Sequence, residues 1–113
     1  MHITLYHNPR CSKSRAVLSL LRERQLCFEI IEYLKKPPNS STLHEILKKL
    51  GGSAEQLIRR DEKEYQTLNL ARADKYRLID AIVEHPNLMQ RPIIVSKKRA
   101  VIGRPPEQAL TIL

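Results

Sequence analysis

Tyr6-His7-Asn8-Pro9-Arg10-Cys11-Ser12-Lys13-Ser14-Arg15 carries the chain out of an apolar start and into a helical run. Before it, Ile3, Leu5 and Tyr6 alternate or cluster as a buried strand does. After it, Ala16, Val17, Leu18, Leu20 and Leu21 recur at helical spacing. Cys11 therefore falls on a strand-to-helix turn. First-turn N–H groups lack intrahelical partners there, and the positive end of the helix dipole favours thiolate over thiol. His7, Arg10, Lys13 and Arg15 add positive charge within a few residues. Such surroundings lower a cysteine pKa from ~8.5 to roughly 3.5–7.5. The same amides can hold an oxyanion beside the sulfur. An unselected cysteine is more often buried and inert, but this cationic helix entry favours a nucleophile.

Working outward, residues 2–6 are predicted as a first strand, 12–24 as a helix and 28–34 as a second, buried strand. That order is a βαβ unit, with parallel strands and a right-handed crossover. Lys35-Lys36-Pro37-Pro38-Asn39 breaks the pattern, and Ser40 or Ser41 caps a helix carrying Leu43, Ile46, Leu47 and Leu50 that stops at Gly51-Gly52. Further helical segments are expected near 53–60 and 75–85. After Pro86, residues 93–96 and 99–103 read as an antiparallel hairpin turning at Lys97-Lys98. Pro105-Pro106 starts a final helix with Leu110 and Leu113 inward. The expected fold is α/β and thioredoxin-like: a four-stranded mixed sheet in the order β-α-β, β-β-α, with a helical insert over about 38–88. Residues 1–113 are expected to form one domain.

Composition narrows the partners. Twenty Lys and Arg against 12 Asp and Glu give a formal charge of +8, compatible with an anionic substrate, an acidic protein or nucleic acid. Four tyrosines and one phenylalanine make no aromatic-basic repeat, which disfavours nucleic acid. Cys11 and Cys27 form no CxxC and have no histidine at metal-ligand spacing, so neither a metal site nor a disulfide framework is expected. No apolar run approaches the ~18 residues of a membrane span. The first residues lack the order of a signal peptide, so a reducing cytoplasm is the expected setting.

His7-Asn8-Pro9-x-Cys11-x-x-Ser14-Arg15, Leu57-Ile58-Arg59, Arg91-Pro92-Ile93-Ile94-Val95 and Gly103-Arg104-Pro105 together resemble the glutaredoxin-coupled arsenate reductase family. The resemblance implies that Cys11 is the catalytic nucleophile and that Arg59, Arg91 and Arg104 bind the oxyanion, with Arg60 one residue from Arg59. A guanidinium fork can donate two parallel hydrogen bonds to such an anion, which a lysine cannot. His7 matches the histidine at the loop entrance, either promoting the thiolate or closing the loop through a structural bond. Ser14 either donates to the sulfur or oxyanion or caps the helix. Pro92 resembles the proline held cis opposite the active cysteine of thioredoxin-like folds. The implied monomer binds no cofactor or metal and uses glutathione as co-substrate and glutaredoxin as partner.

In the implied reaction Cys11 thiolate attacks arsenate, oxygen leaves as water, glutathione attacks the arsenic–sulfur adduct, and glutaredoxin completes reduction to arsenite. Position 14 holds serine where a dithiol has its second cysteine, so an external thiol must regenerate the enzyme. Val17 stands where a Cys-x5-Arg phosphatase loop has arginine. Two other readings share the fold: a regulator of the Spx type that binds RNA polymerase, and a glutathione-dependent thiol oxidoreductase acting on another substrate.

Overall fold

A computed structural model describes residues 2–113. The chain divides into two compact units, one made of the segment up to Lys36 with Arg91–Leu113, the other of Pro37–Gln90.

The first unit is built on a four-stranded mixed sheet. Strand β1 (Thr4–His7) leads through the Cys11 loop into helix α1 (Ser12–Glu23) and back to β2 (Glu29–Glu32), parallel to β1. Strands β3 (Ile93–Val95) and β4 (Ala100–Ile102) form the expected hairpin, with β3 antiparallel to β1, giving the order β2-β1-β3-β4. The core joins Ile3 and Leu5 of the β1 segment, Val17 and Leu21 of α1, Ile94 of β3, and Ala109 and Ile112 near the C-terminus. Leu5, Val17, Leu21 and Ile94 are wholly enclosed, each removal from water contributing about 1.5–3 kcal/mol.

Two expectations about this unit are corrected. β2 is an edge strand rather than a buried one, and Ile30 is 40% exposed, because the sheet order leaves it with β1 as its one neighbour. The last segment, Pro106–Ile112, is a 3-10 helix with Ala109 and Ile112 inward, not Leu110 and Leu113. With three residues per turn, positions three apart eclipse, so Ala109 and Ile112 share the inner face.

The second unit is helical, with α2 (Ser40–Leu50), α3 (Lys63–Thr67) and α4 (Lys75–Glu84) joined by 3-10 turns. Asn39, not Ser40 or Ser41, caps α2, its side chain accepting from the Thr42 amide at 2.8 Å. Gly51 ends that helix at φ 72°, a left-handed conformation that suits glycine. The segment expected as a helix over 53–60 is helical only across Ala54–Leu57. Ile58 is extended and bridges Met89, because both are buried and flanking Arg59 and Gln90 amides donate to the Leu88 and Leu57 carbonyls. The short α3 was not anticipated. No helix of the described residues is long and apolar enough to cross a membrane.

Candidate active site

Asn8 shapes the turn between β1 and α1. Its carbonyl accepts from the Cys11 amide at 3.0 Å and its side-chain oxygen from the Arg10 amide at 3.0 Å, reversing the chain directly after the strand. Its side-chain nitrogen reaches the hydroxyl of fully buried Tyr33 at 3.5 Å. Arg15 donates to the Pro9 carbonyl at 3.0 Å and ties the loop to the first turn of α1. Cys11 thereby becomes the N-cap residue of α1, in extended conformation.

Ser14 is fully buried, and its hydroxyl shares a 2.6 Å hydrogen bond with His7 Nδ1 while accepting from the Asn8 amide at 3.0 Å. The hydroxyl thus neither caps α1 nor contacts the sulfur. Ser14 acts on Cys11 through its backbone N–H instead. His7 is buried too, and burial is the main cause that lowers its pKa. Glu32 opposes that shift, while Arg22 and Arg15 reinforce it. That shift favours the neutral imidazole, whose Nδ1 ties the end of β1 to α1 through Ser14.

At the sulfur, partial burial is the largest single influence and raises the thiol pKa. The Ser14 and Lys13 amides, the Arg91 charge and the Arg104 guanidinium together outweigh it, so the net shift is downward. Neither amide closes a side-chain cap hydrogen bond. Arg104 Nη1 lies 3.9 Å from Cys11 Sγ and donates to the Arg91 carbonyl at 3.1 Å, which fixes the guanidinium beside the sulfur.

The peptide bond between Arg91 and Pro92 is cis, as is that between Arg104 and Pro105. The Gly103 amide donates to the Pro92 carbonyl at 3.0 Å. A Cβ on Gly103 would lie 2.7 Å from Val17 Cγ2 and 2.8 Å from Pro92 Cγ, so glycine is what lets α1, Pro92 and β4 meet. Sequence reading missed the roles of Asn8, Tyr33 and Gly103. An Asn-Pro pair directly after a strand is a turn signal that could have found Asn8.

Arg59 belongs to the helical unit. Its terminal nitrogens meet Glu62 at 2.7 Å and Asp61 at 3.4 Å, and its Nε is buried without a hydrogen-bond partner. Arg60 is exposed and pairs with Glu55 at 2.9 Å. Cys27 is a free, exposed thiol at the entry to β2. No cluster of three or more His, Cys, Asp or Glu among the described residues is arranged to hold a metal.

The model of the ArsC family matches residues 6–112. An uncharacterized protein, YfgD, of Escherichia coli K12 is 48% identical over 114 aligned positions, spanning 98% of this chain and 96% of its own. An arsenate reductase of Neisseria meningitidis serogroup A is 44% identical over 114 positions, spanning 98% and 97%. Among solved structures, an arsenate reductase from Vibrio cholerae superimposes with a TM-score of 0.95 at 40% identity, covering 100% of this chain and 98% of that one.

Proposed function

This chain belongs to the ArsC family, and from that membership we propose that it is an arsenate reductase working through Cys11. The observation that carries the reading is the position of the thiol, on the N-cap residue of α1 with the Arg104 guanidinium 3.9 Å from the sulfur. The thiolate attacks arsenic, an As–S bond forms and one oxygen departs as water. Arg91 and Arg104 offset the substrate's charge, and the Ser14 and Lys13 amides stabilise the attacking thiolate.

With Ser14 engaged by His7 and Asn8, the loop supplies no second thiol. Glutathione thiolate attacks the arsenic of the adduct, a second oxygen departs as water, and arsenic is left bridging Cys11 and glutathione. Glutaredoxin thiolate next attacks the glutathione sulfur, and the electron pair of that S–As bond stays on arsenic, so two thiol sulfurs supply the two electrons that take arsenic from As(V) to As(III). Hydrolysis of the remaining As–S bond releases arsenite and frees Cys11. The family motif assigns Arg59 to the oxyanion as well, and its half-buried guanidinium, with Nε still unpartnered, supports that choice over exposed Arg60. Dependence on glutathione places the reaction in a reducing compartment, the cytoplasm.

The test is arsenate-dependent NADPH oxidation with glutathione, glutathione reductase and glutaredoxin. Cys11→Ser should abolish it, and activity that survives that change discards the mechanism.

A further inference from the structure

Arg59 and the start of α3 hang on one frame inside the helical unit. The Arg59 amide donates to the Leu88 carbonyl at 2.7 Å, next to the bridge between Ile58 and Met89. The Glu64 carboxylate of α3 accepts from Asn87 Nδ2 at 3.0 Å. The 3-10 turn Pro86–Leu88 therefore anchors both the backbone of Arg59 and the helix that follows it.

Glu62 stands between them and uses its side chain in an uncommon way. It is the N-cap residue of α3, a position where a short Asn, Asp, Ser or Thr side chain ordinarily accepts from the first amides. Its carboxylate closes no such bond. It turns to Arg59 instead, accepting from Nη1 at 2.7 Å, with the two side chains only 26% and 16% exposed. A charge-assisted bond of that length, shielded from water, is stronger than a surface pair. Neighbouring contacts are looser. Asp61 is 72% exposed and reaches Nη2 at 3.4 Å, while Glu55 serves Arg60 with both side chains more than half exposed.

An arginine left to rotate must lose conformational entropy when an anion binds it. Glu62 fixes the side chain beforehand and still leaves donors over. Nη2 has the long contact with exposed Asp61, and enclosed Nε has no acceptor. A carboxylate that merely neutralised Arg59 would act in the opposite sense, since its removal would strengthen the pull on the anion.

We propose that Glu62 is a positioning residue for arsenate: its carboxylate holds the Arg59 guanidinium in one orientation, and an incoming oxyanion displaces the long Asp61 contact while the short Glu62 bond stays. The inference rests on the reading above that Arg59 meets the oxyanion. Glu62 itself touches no substrate.

The experiment is a double-mutant cycle read in steady-state arsenate kinetics. Glu62→Asn installs a favoured helix cap, which keeps α3 folded, but is too short to reach Arg59. It should lower kcat/KM for arsenate on the order of fivefold, mainly through KM. Glu62→Gln retains an acceptor at the original reach and should recover most of that loss. In an Arg59→Ala background Glu62→Asn should cost nothing further, because the group it orients is gone. An equal loss in both backgrounds marks a merely structural carboxylate and overturns the proposal. So does an unchanged or raised kcat/KM in Glu62→Asn while Arg59→Ala is impaired. Wild-type kcat/KM in Arg59→Ala sinks the oxyanion role of Arg59 instead, and absence of arsenate turnover in the unaltered protein sinks the parent reading.

Discussion

At Cys11 burial and polarity pull in opposite directions, and the amides and guanidinium groups win. Alkylation by iodoacetamide should therefore titrate below the range of an ordinary cysteine, and Arg104→Ala should move the midpoint upward. Arg91→Ala should lower kcat/KM for arsenate about 10- to 100-fold, the worth of a charge-assisted hydrogen bond, read from steady-state kinetics. His7 gives a stability signature. Its folded pKa is depressed, so its contribution is present above the ordinary histidine value of ~6.5 and is lost as pH falls through the lower folded value. Urea midpoints should fall on acidification through that window, and less so in His7→Gln. The nearness of Arg91 and Arg104 to Cys11 was legible because a motif sets these residues beside prolines and strand ends. The pairing of Ser14 with His7 was not, since a serine near a helix start reads as a cap until the strand places an imidazole 2.6 Å away.

Elements were most legible where apolar periodicity is long. The β1-α1-β2 unit, the β3-β4 hairpin, α2 and α4 lie within a few residues of their expected bounds. Short segments were not, because propensity alone does not separate α from 3-10 geometry: Pro106–Ile112 follows the tighter spacing that buries Ala109 and Ile112. Caps carry measurable weight here. Asn39→Ala should cost about 1 kcal/mol in chemical denaturation. Gly51→Ala meets no atom within 4 Å, yet should cost about 1–2 kcal/mol because its φ is positive. Gly103→Ala acts differently, driving a methyl into Val17 and Pro92. Overpacking of that kind costs about 1–3 kcal/mol, and here it should also lower arsenate turnover by disturbing the Arg91–Pro92 segment.

Over the whole molecule, the helical unit runs over Pro37–Gln90, where sequence reading expected an insert over about 38–88 within a single domain. Arg59→Ala should reduce kcat/KM for arsenate by about tenfold or more, whereas Arg60→Ala should leave it near wild type, as parallel steady-state assays would reveal. The choice of a cysteine as the N-cap residue of α1 reaches further than reactivity. Sulfur is a weak acceptor, and α1 begins without a side-chain cap bond, so the helix starts less firmly than one begun by Asn or Ser. Any oxyanion that settles on those amides does the work of a cap. Occupancy and fold integrity are then thermodynamically linked, and melting temperature should climb with arsenate concentration as mass action dictates. The protein is sturdiest in the presence of the poison it removes.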